Sequence, residues 1–391
     1  MPLNLRSASP RPATVRSDQT IPAPLLFPPR ITNYIFSSRI WPARIKGLLL
    51  RQVFDPGSCS AMLLQAPRLA DGRLIRGVLV GNQIDAIIEQ FPPLASLFYM
   101  IERRGWYGIN SARKAHIKLV EDSSTLRVTQ KRFPHAILLE LSGGDFVDTR
   151  YFRPLDHEPD FDVIQIACWS PRKRVEMMID AAARIPHVRF VHFGHFERDG
   201  APDELAYRDA CIARAEQSGA NIHFPFREAR SNADTVTGKE EINAWINRAK
   251  LGLLTTKLEG HPRFKMECMA ADRPVFVPRD TTVPTRKHIV DQTGGLFEPN
   301  PQSVADIITR ALVQRDTYHP RNYVLQHTGR VNSLAKIRGA LRRLEPTAEG
   351  DGPPYEDIDW DGRNENLWWG QSAVRHLREL AEQYEPLISR N

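Results

Sequence analysis

E-G-H-P-R-F-K-M-E, residues 259–267, sets two glutamates eight positions apart between an apolar run at 251–255 and a helix-compatible stretch at 264–271 that stops before Pro274. The apolar run has the character of a buried strand. A strand, a short Gly/Pro turn and a helix leave free backbone N–H groups at the mouth of a parallel sheet, where anionic ligands such as nucleotide diphosphates bind. Glu259 falls in the turn and Glu267 inside the helix. Two acceptor-only carboxylates a helix turn or so apart suit a ligand rich in hydroxyls, because each takes hydrogen bonds from a vicinal diol.

Outward from this stretch, apolar and helical segments alternate. Strands are expected at 163–167, 188–193, 221–224, 251–255 and 274–277, and helices at 174–185, 202–217, 240–250, 263–271 and 303–313. Strands that are apolar throughout, each followed by a helix, imply a parallel, doubly wound α/β sheet. Residues 225–239 carry no apolar period and are expected as a polar loop at the ligand-facing rim. Before 145 the pattern is weaker: 74–83 and 85–91 are expected as strands and 94–104 as a helix. After 343 an acidic Pro/Gly linker precedes N-L-W-W-G and a final helix with Val374, Leu377, Ala381 and Tyr384 on one stripe.

E-G-H-P-R-F-K-M-E-C-M-A-A-D-R-P-V-F-V, followed by G-G-L-F-E-P-N-P, resembles the donor half of retaining glycosyltransferases of the GT-B fold, family 4. The run V-I-Q-I-A-C-W-S-P-R-K-R-V-E-M-M-I-D is similar to the first strand and helix of that family's C-terminal domain, and D-F-V-D-T-R-Y-F-R-P-L at 145–155 to its interdomain linker. The likeness spans 145–343. It implies two Rossmann-like domains with parallel doubly wound sheets, the N-terminal one short and divergent. The expected division is a disordered leader at 1–30, an acceptor-side domain at 31–144, a nucleotide-sugar donor domain at 145–343, and at 344–391 a linker and helix returning to the N-terminal domain.

The resemblance gives Glu259 the task of facing the donor sugar and Glu267 that of accepting the ribose hydroxyls. Gly260, His261, Pro262, Arg263 and Phe264 form the donor-binding turn, with backbone N–H groups directed at the ligand. Lys173 matches the lysine that neutralises the leaving diphosphate. Structural alternatives stay open here: Glu267 as a capped or salt-bridged residue, Gly260 as a turn glycine, Arg263 as a solvated helix start. The family usually has G-R ahead of the lysine, where this chain has Ala167-Cys168, so Arg172 or Arg174 is the candidate second cation. The family's N-terminal glycine pair and histidine are missing as well: no histidine precedes His116, and Gly143-Gly144 lies at the linker. Asp122 and Asp145 have no assigned role.

Composition sets bounds on these readings. The chain has 391 residues, 41% hydrophobic and 25% charged, with net charge +7, and no apolar run approaches a membrane span. Four cysteines without C-x-x-C spacing indicate neither a disulfide framework nor a zinc site, so a reducing cytoplasm is expected and no metal or other cofactor. Residues 1–150 hold 20 basic and 11 acidic residues, the remainder 33 and 35. Within the basic part, R-I-T-N-Y-I-F-S-S-R-I-W-P-A-R-I-K-G-L-L-L-R at 30–51 suits either ordinary elements with solvated arginine tips or peripheral contact with an anionic membrane at its inner face. No nucleic-acid motif accompanies the charge. The function expected is retaining transfer of a sugar from a nucleoside diphosphate sugar to a carbohydrate or lipid-linked acceptor, in glycan or cell-envelope polysaccharide biosynthesis. The alternative is a non-catalytic nucleotide-sugar-binding or scaffold protein, with a GT-B-like epimerase third.

Overall fold

Buried apolar strands and amphipathic helices alternate in two series along the chain, and each series closes its own six-stranded sheet. The computed structural model describes residues 56–57, 59–103, 112–236, 238–345, 355–360 and 367–390, all within the unit Phe54–Asn391. The leader at 1–30 and the basic segment at 30–51 lie outside the described residues.

The first series opens with β1 (Ser60–Gln65), a small hairpin of β2 (Arg68–Ala70) and β3 (Arg73–Ile75), and β4 (Gly77–Gly81). Next come α1 (Ile84–Gln90), α2 (Leu94–Leu97), β5 (Phe98–Glu102), β6 (Ile117–Leu119), α3 (Ser123–Arg132) and β7 (Ile137–Leu139). Strands β4 to β7 pair in parallel, whereas β1 pairs antiparallel with β4, so this sheet is mixed and not parallel throughout as expected. Two element assignments are corrected. Residues Ile84–Gln90 form a helix capped by Phe91, since Ile84, Ile87, Ile88 and Phe91 recur at helical spacing and are buried on one side. The expected helix at 94–104 is only one turn long and passes into the strand F-Y-M-I-E, every residue of which is buried.

The second series runs β8 (Phe161–Ile166), α4 (Val175–Ala182), β9 (Phe190–Phe193), α5 (Pro202–Ser218), β10 (Ile222–His223), α6 (Lys239–Asn247), β11 (Ala249–Leu253), α7 (Arg263–Ala270), β12 (Val275–Pro278), α8 (Val283–Arg286), β13 (Gly294–Phe297) and α9 (Pro301–Val313). All its strands are parallel, in the order β10-β9-β8-β11-β12-β13. Counted from β8, this is the 3-2-1-4-5-6 order of a doubly wound fold, and the order reverses between β8 and β11.

Two later elements return to the first sheet. After α10 (Pro320–His327), α11 (Gly329–Leu344) buries Leu334, Ile337, Ala340 and Leu341 with Val78, Ile101, Ile117 and Leu119. Then β14 (Leu367–Trp369) pairs antiparallel with the outer edge of β1, and α12 (Gly370–Tyr384) lays Ala373, Leu377, Leu380 and Ala381 against Ile84, Leu94, Leu97 and Phe98. The stripe foreseen on the final helix is thus the one that packs, except that Val374 and Tyr384 are only partly buried. Among the described residues no helix is long and apolar enough to cross a membrane.

Leu377 has no solvent exposure. Leu377→Ala should therefore cost about 2–5 kcal/mol, the transfer free energy of the lost side chain plus that of the cavity left behind. Urea unfolding followed by circular dichroism measures it, and a loss under 1 kcal/mol would mean that α12 is not integral to the first sheet.

Candidate functional site

In a doubly wound sheet the strand-order reversal leaves an opening at the carboxyl ends of the two central strands, because their following helices cross to opposite faces. Here those strands are β8 and β11. The loop after β8 carries Cys168, Arg172 and Lys173, and the loop after β11 carries Glu259 through Pro262. The loops are tied together: the Thr255 hydroxyl donates to Lys173 O (2.6 Å), Lys257 N–H donates to Arg172 O (3.1 Å), and buried Gln165 on β8 donates to Thr255 Oγ1 (2.8 Å).

The consequence is a direct ion pair between Lys173 and Glu259, 86 positions apart in sequence. Both side chains are largely removed from solvent. Burial pushes the Lys173 pKa down to about 8, with Cys168 working against that shift and Arg172 adding to it. Arg174 is committed elsewhere. Its guanidinium makes a two-pronged ion pair with Asp280 at 2.8 Å and donates to Thr255 O at 2.6 Å. Arg172 instead turns toward Cys168, 3.6 Å from its Sγ, and pairs with Glu197 of the loop after β9.

In the turn, Pro262 caps α7 in extended conformation, so the first N–H groups of that helix face away from its body. Among the described residues the backbone N–H groups of Gly260 and His261 also meet no acceptor. Phe264 anchors the helix in the core beside Met266 and Met269, while Arg263 stays exposed. Glu267, one turn further on, is half-buried, and no hydrogen bond reaches its carboxylate among the described residues. Burial raises its pKa, opposed by the nearby charges of Arg263 and Lys239.

The His261 side chain turns away from solvent into a hub centred on Asp145. Asp145 Oδ2 accepts from Ser142 N–H (2.8 Å), the Ser142 hydroxyl (3.1 Å) and Lys287 (3.1 Å), while Oδ1 accepts from His288 Nε2 (2.7 Å) and Thr328 Oγ1 (3.0 Å). His261 Nδ1 lies 2.6 Å from Ser142 Oγ and 3.3 Å from Asp145 Oδ2. Since the Ser142 hydroxyl donates to Asp145, its oxygen accepts from Nδ1–H, which leaves Nε2 as the bare nitrogen. Gly144 makes room for this: a Cβ there would stand 3.0 Å from the His261 ring.

The ligating atoms of Asp145, His261 and His288 lie within 4.8 Å of one another, the spacing of a three-ligand metal set. The chemistry does not fit an ion. The carboxylate is already saturated with donors, and the Lys287 ammonium sits on it. Although burial acts to raise the Asp145 pKa, hydrogen bonds from His261 and His288 and the charge of Lys287 hold it well below the usual carboxylate range.

Sequence reasoning missed three groups. Glu121, just after β6, brings its carboxylate so close to the donor turn that a Cβ on Gly260 would stand 3.2 Å from its Oε1. Glu197 was unassigned although it partners Arg172. Solvent reaches His195, yet the atoms crowded around it, with Lys173, Arg263 and Arg172 nearby, push its pKa down to about 4. Only the acidic start of E-D-S-S and the H-F-E-R run after β9 could have marked these positions.

A neutral buried histidine makes stability depend on pH. His261 has its pKa lowered to about 3 by burial first, and the unfolded chain takes up that proton near 6.5. Its contribution is therefore complete above ~6.5 and declines as pH falls toward 3, whereas the Asp145 contribution is lost only below ~3.9. We expect the unfolding free energy to fall between pH 7 and 5. In His261→Gln that slope should be shallower by up to about 1.4 kcal/mol per pH unit, as read from urea midpoints; an unchanged slope would place the titration elsewhere.

No protein-family model matches the chain, and no curated protein matches it. Solved structures do. The Anabaena protein HepE in complex with UDP superposes with TM-score 0.53 at 15% identity, over 66% of this chain and 76% of that one. The sucrose-phosphate synthase of Thermosynechococcus elongatus superposes with TM-score 0.50 at 14% identity, over 63% and 68%. With one sheet in strict doubly wound order, a second Rossmann-like sheet before it and a terminal helix returning to the first, the chain has the fold of the GT-B glycosyltransferases.

Proposed function

We propose that this chain is a glycosyltransferase that moves a sugar from a nucleoside diphosphate donor to a glycan or lipid-linked acceptor with retention of configuration. The observation that carries the proposal is the meeting of Lys173 and Glu259 at the strand-order reversal, where the turn leads into the helix bearing a half-buried Glu267 whose carboxylate accepts no hydrogen bond among the described residues. The UDP in the HepE structure supports a nucleoside diphosphate as the donor class.

In this reading Glu267 takes the ribose hydroxyls. The N–H groups at the start of α7, with Lys173 and Arg172, hold the diphosphate, and Glu259 orients the sugar. As the anomeric carbon–oxygen bond breaks, its electron pair leaves on the diphosphate, where those cations stabilise the charge; the acceptor oxygen bonds to the same face and its proton passes to a leaving phosphate oxygen. Two side-chain cations and a helix terminus meet the charge demand, so no metal is obligatory. The compartment we propose is cytoplasmic, with peripheral contact at an anionic membrane surface for a lipid-linked acceptor.

A binding protein without turnover is the second reading, favoured by Ala167-Cys168 in place of the family's G-R pair. Donor hydrolysis or transfer by pure protein separates the two.

Glu267→Gln should weaken nucleotide binding by roughly 1–3 kcal/mol while leaving the fold intact, through loss of charge-assisted hydrogen bonds. Calorimetry with uridine, guanosine, adenosine and their diphosphates is the measurement, and unchanged affinity throughout would remove the residue from the site. Lys173→Ala should weaken diphosphates and spare nucleosides; equal losses for both would make Lys173 purely structural. With its pKa pushed down to about 8, Lys173 loses its proton as pH rises through that value. Diphosphate affinity of the wild type should therefore drop between pH 7 and 9, and the drop should be absent in Lys173→Arg.

A further inference from the structure

Each cation assigned to the diphosphate already has a carboxylate partner from the chain itself. Lys173 pairs with Glu259 and Arg172 with Glu197. The two partners differ. Glu259 is buried in the donor turn, whose backbone is fixed by Thr282 and Thr285 donating to the carbonyls of Glu259 and Gly260. Glu197 has no place in the reaction described above, and its side chain is 38% exposed on the loop after β9.

We propose that Glu197 is an internal competitor of the donor diphosphate: it occupies Arg172, and its displacement sets how tightly the diphosphate binds. The inference rests on the reading of Arg172 as a diphosphate contact, and the structure supports that choice over Arg174, which is held by Asp280 and Thr255 O.

The surroundings of Glu197 hold its backbone while leaving its side chain room to move. Asn232 accepts from Phe196 N–H (2.7 Å) and donates to Phe196 O (2.8 Å), and Asp199 accepts from Asn232 N–H (2.8 Å), so the loop is clamped on both sides of position 197. The Cys168 thiol donates to Glu197 Oε1 at 3.3 Å, and burial keeps that thiol protonated by raising its pKa. Cys168 therefore adds a weak donor and no positive charge beside Arg172. A carboxylate tethered next to a guanidinium acts at high effective concentration. A diphosphate replaces it because it offers more negative charge and several acceptor oxygens, while the exposed glutamate regains full hydration on swinging into water.

The test is isothermal titration of uridine, adenosine and guanosine diphosphates, the matching nucleosides and inorganic pyrophosphate. Glu197→Gln and Glu197→Ala should both tighten diphosphate and pyrophosphate binding by about three- to tenfold, with nucleoside binding unchanged. Arg172→Gln should abolish the gain, so the double variant Arg172→Gln/Glu197→Gln binds no tighter than Arg172→Gln alone. Glu216→Gln, which removes an exposed carboxylate paired with Arg227 elsewhere in the same half, controls for net charge and should leave affinity unchanged. Unchanged or weaker binding in the Glu197 variants overturns the inference, as does equal tightening in Glu216→Gln. Wild-type protein that binds none of the diphosphates overturns the donor reading and this inference together, whereas wild-type binding with unaltered Glu197 variants overturns the inference alone.

Discussion

A buried carboxylate is costly unless its lone pairs are filled, and Asp145 fills them with donors from three separate segments of the chain. It sits in the connection between the two sheets. Through Ser142 it fixes that connection and the His261 ring, and through Lys287 and His288 it holds the segment after α8. Through Thr328, whose hydroxyl it accepts at the start of α11, it reaches the helix that packs back on the first sheet, and the Ser333 hydroxyl of that helix donates to Asp145 O. The donor turn, the linker and the returning helix are thus oriented by one charge. Replacing any of its partners would leave that charge undersatisfied in a dry environment, a loss larger than that of an ordinary hydrogen bond.

The chemistry sits where topology leaves room. In the second sheet β8 and β11 are neighbours whose following loops diverge, and hydrogen bonds from Thr255 and Lys257 hold those loops together. The Lys173–Glu259 pair follows from that stitching. Burial lowers the Lys173 pKa to about 8, which still leaves the ammonium charged near neutrality and facing the Glu259 carboxylate.

Charge compensation extends around the site. Arg172, Lys173 and Arg174 are consecutive, yet each has a different carboxylate partner: Glu197, Glu259 and Asp280. Three adjacent cations would repel one another; dividing them among three loops makes the cluster tolerable and gives each a distinct cost of release. Arg174, held by two hydrogen bonds from its guanidinium and one from Nε, is the structural member. The other two, with Arg263, lie close enough for their charges to lower the pKa of His195, behind the larger effect of its burial.

The second sheet is legible almost entirely in the residues themselves. Its strands are apolar on both faces because helices cover both sides, so the runs at 163–167, 188–193, 251–255 and 274–277 were visible without contacts. The turn at 259–262 and the helix carrying Glu267 were equally legible, since Gly, Pro and the apolar period mark them locally. The first sheet was less so: isoleucines at 84, 87 and 88 suit a strand by propensity, and only their spacing, enforced by packing against Leu377 and Phe98, makes a helix. Pairings between residues far apart in sequence come from the fold instead. Lys173 with Glu259, Arg172 with Glu197, Glu121 over Gly260, and Asp145 with His261, His288 and Thr328 leave no local period, because their positions depend on strand order and on which loops the fold brings side by side.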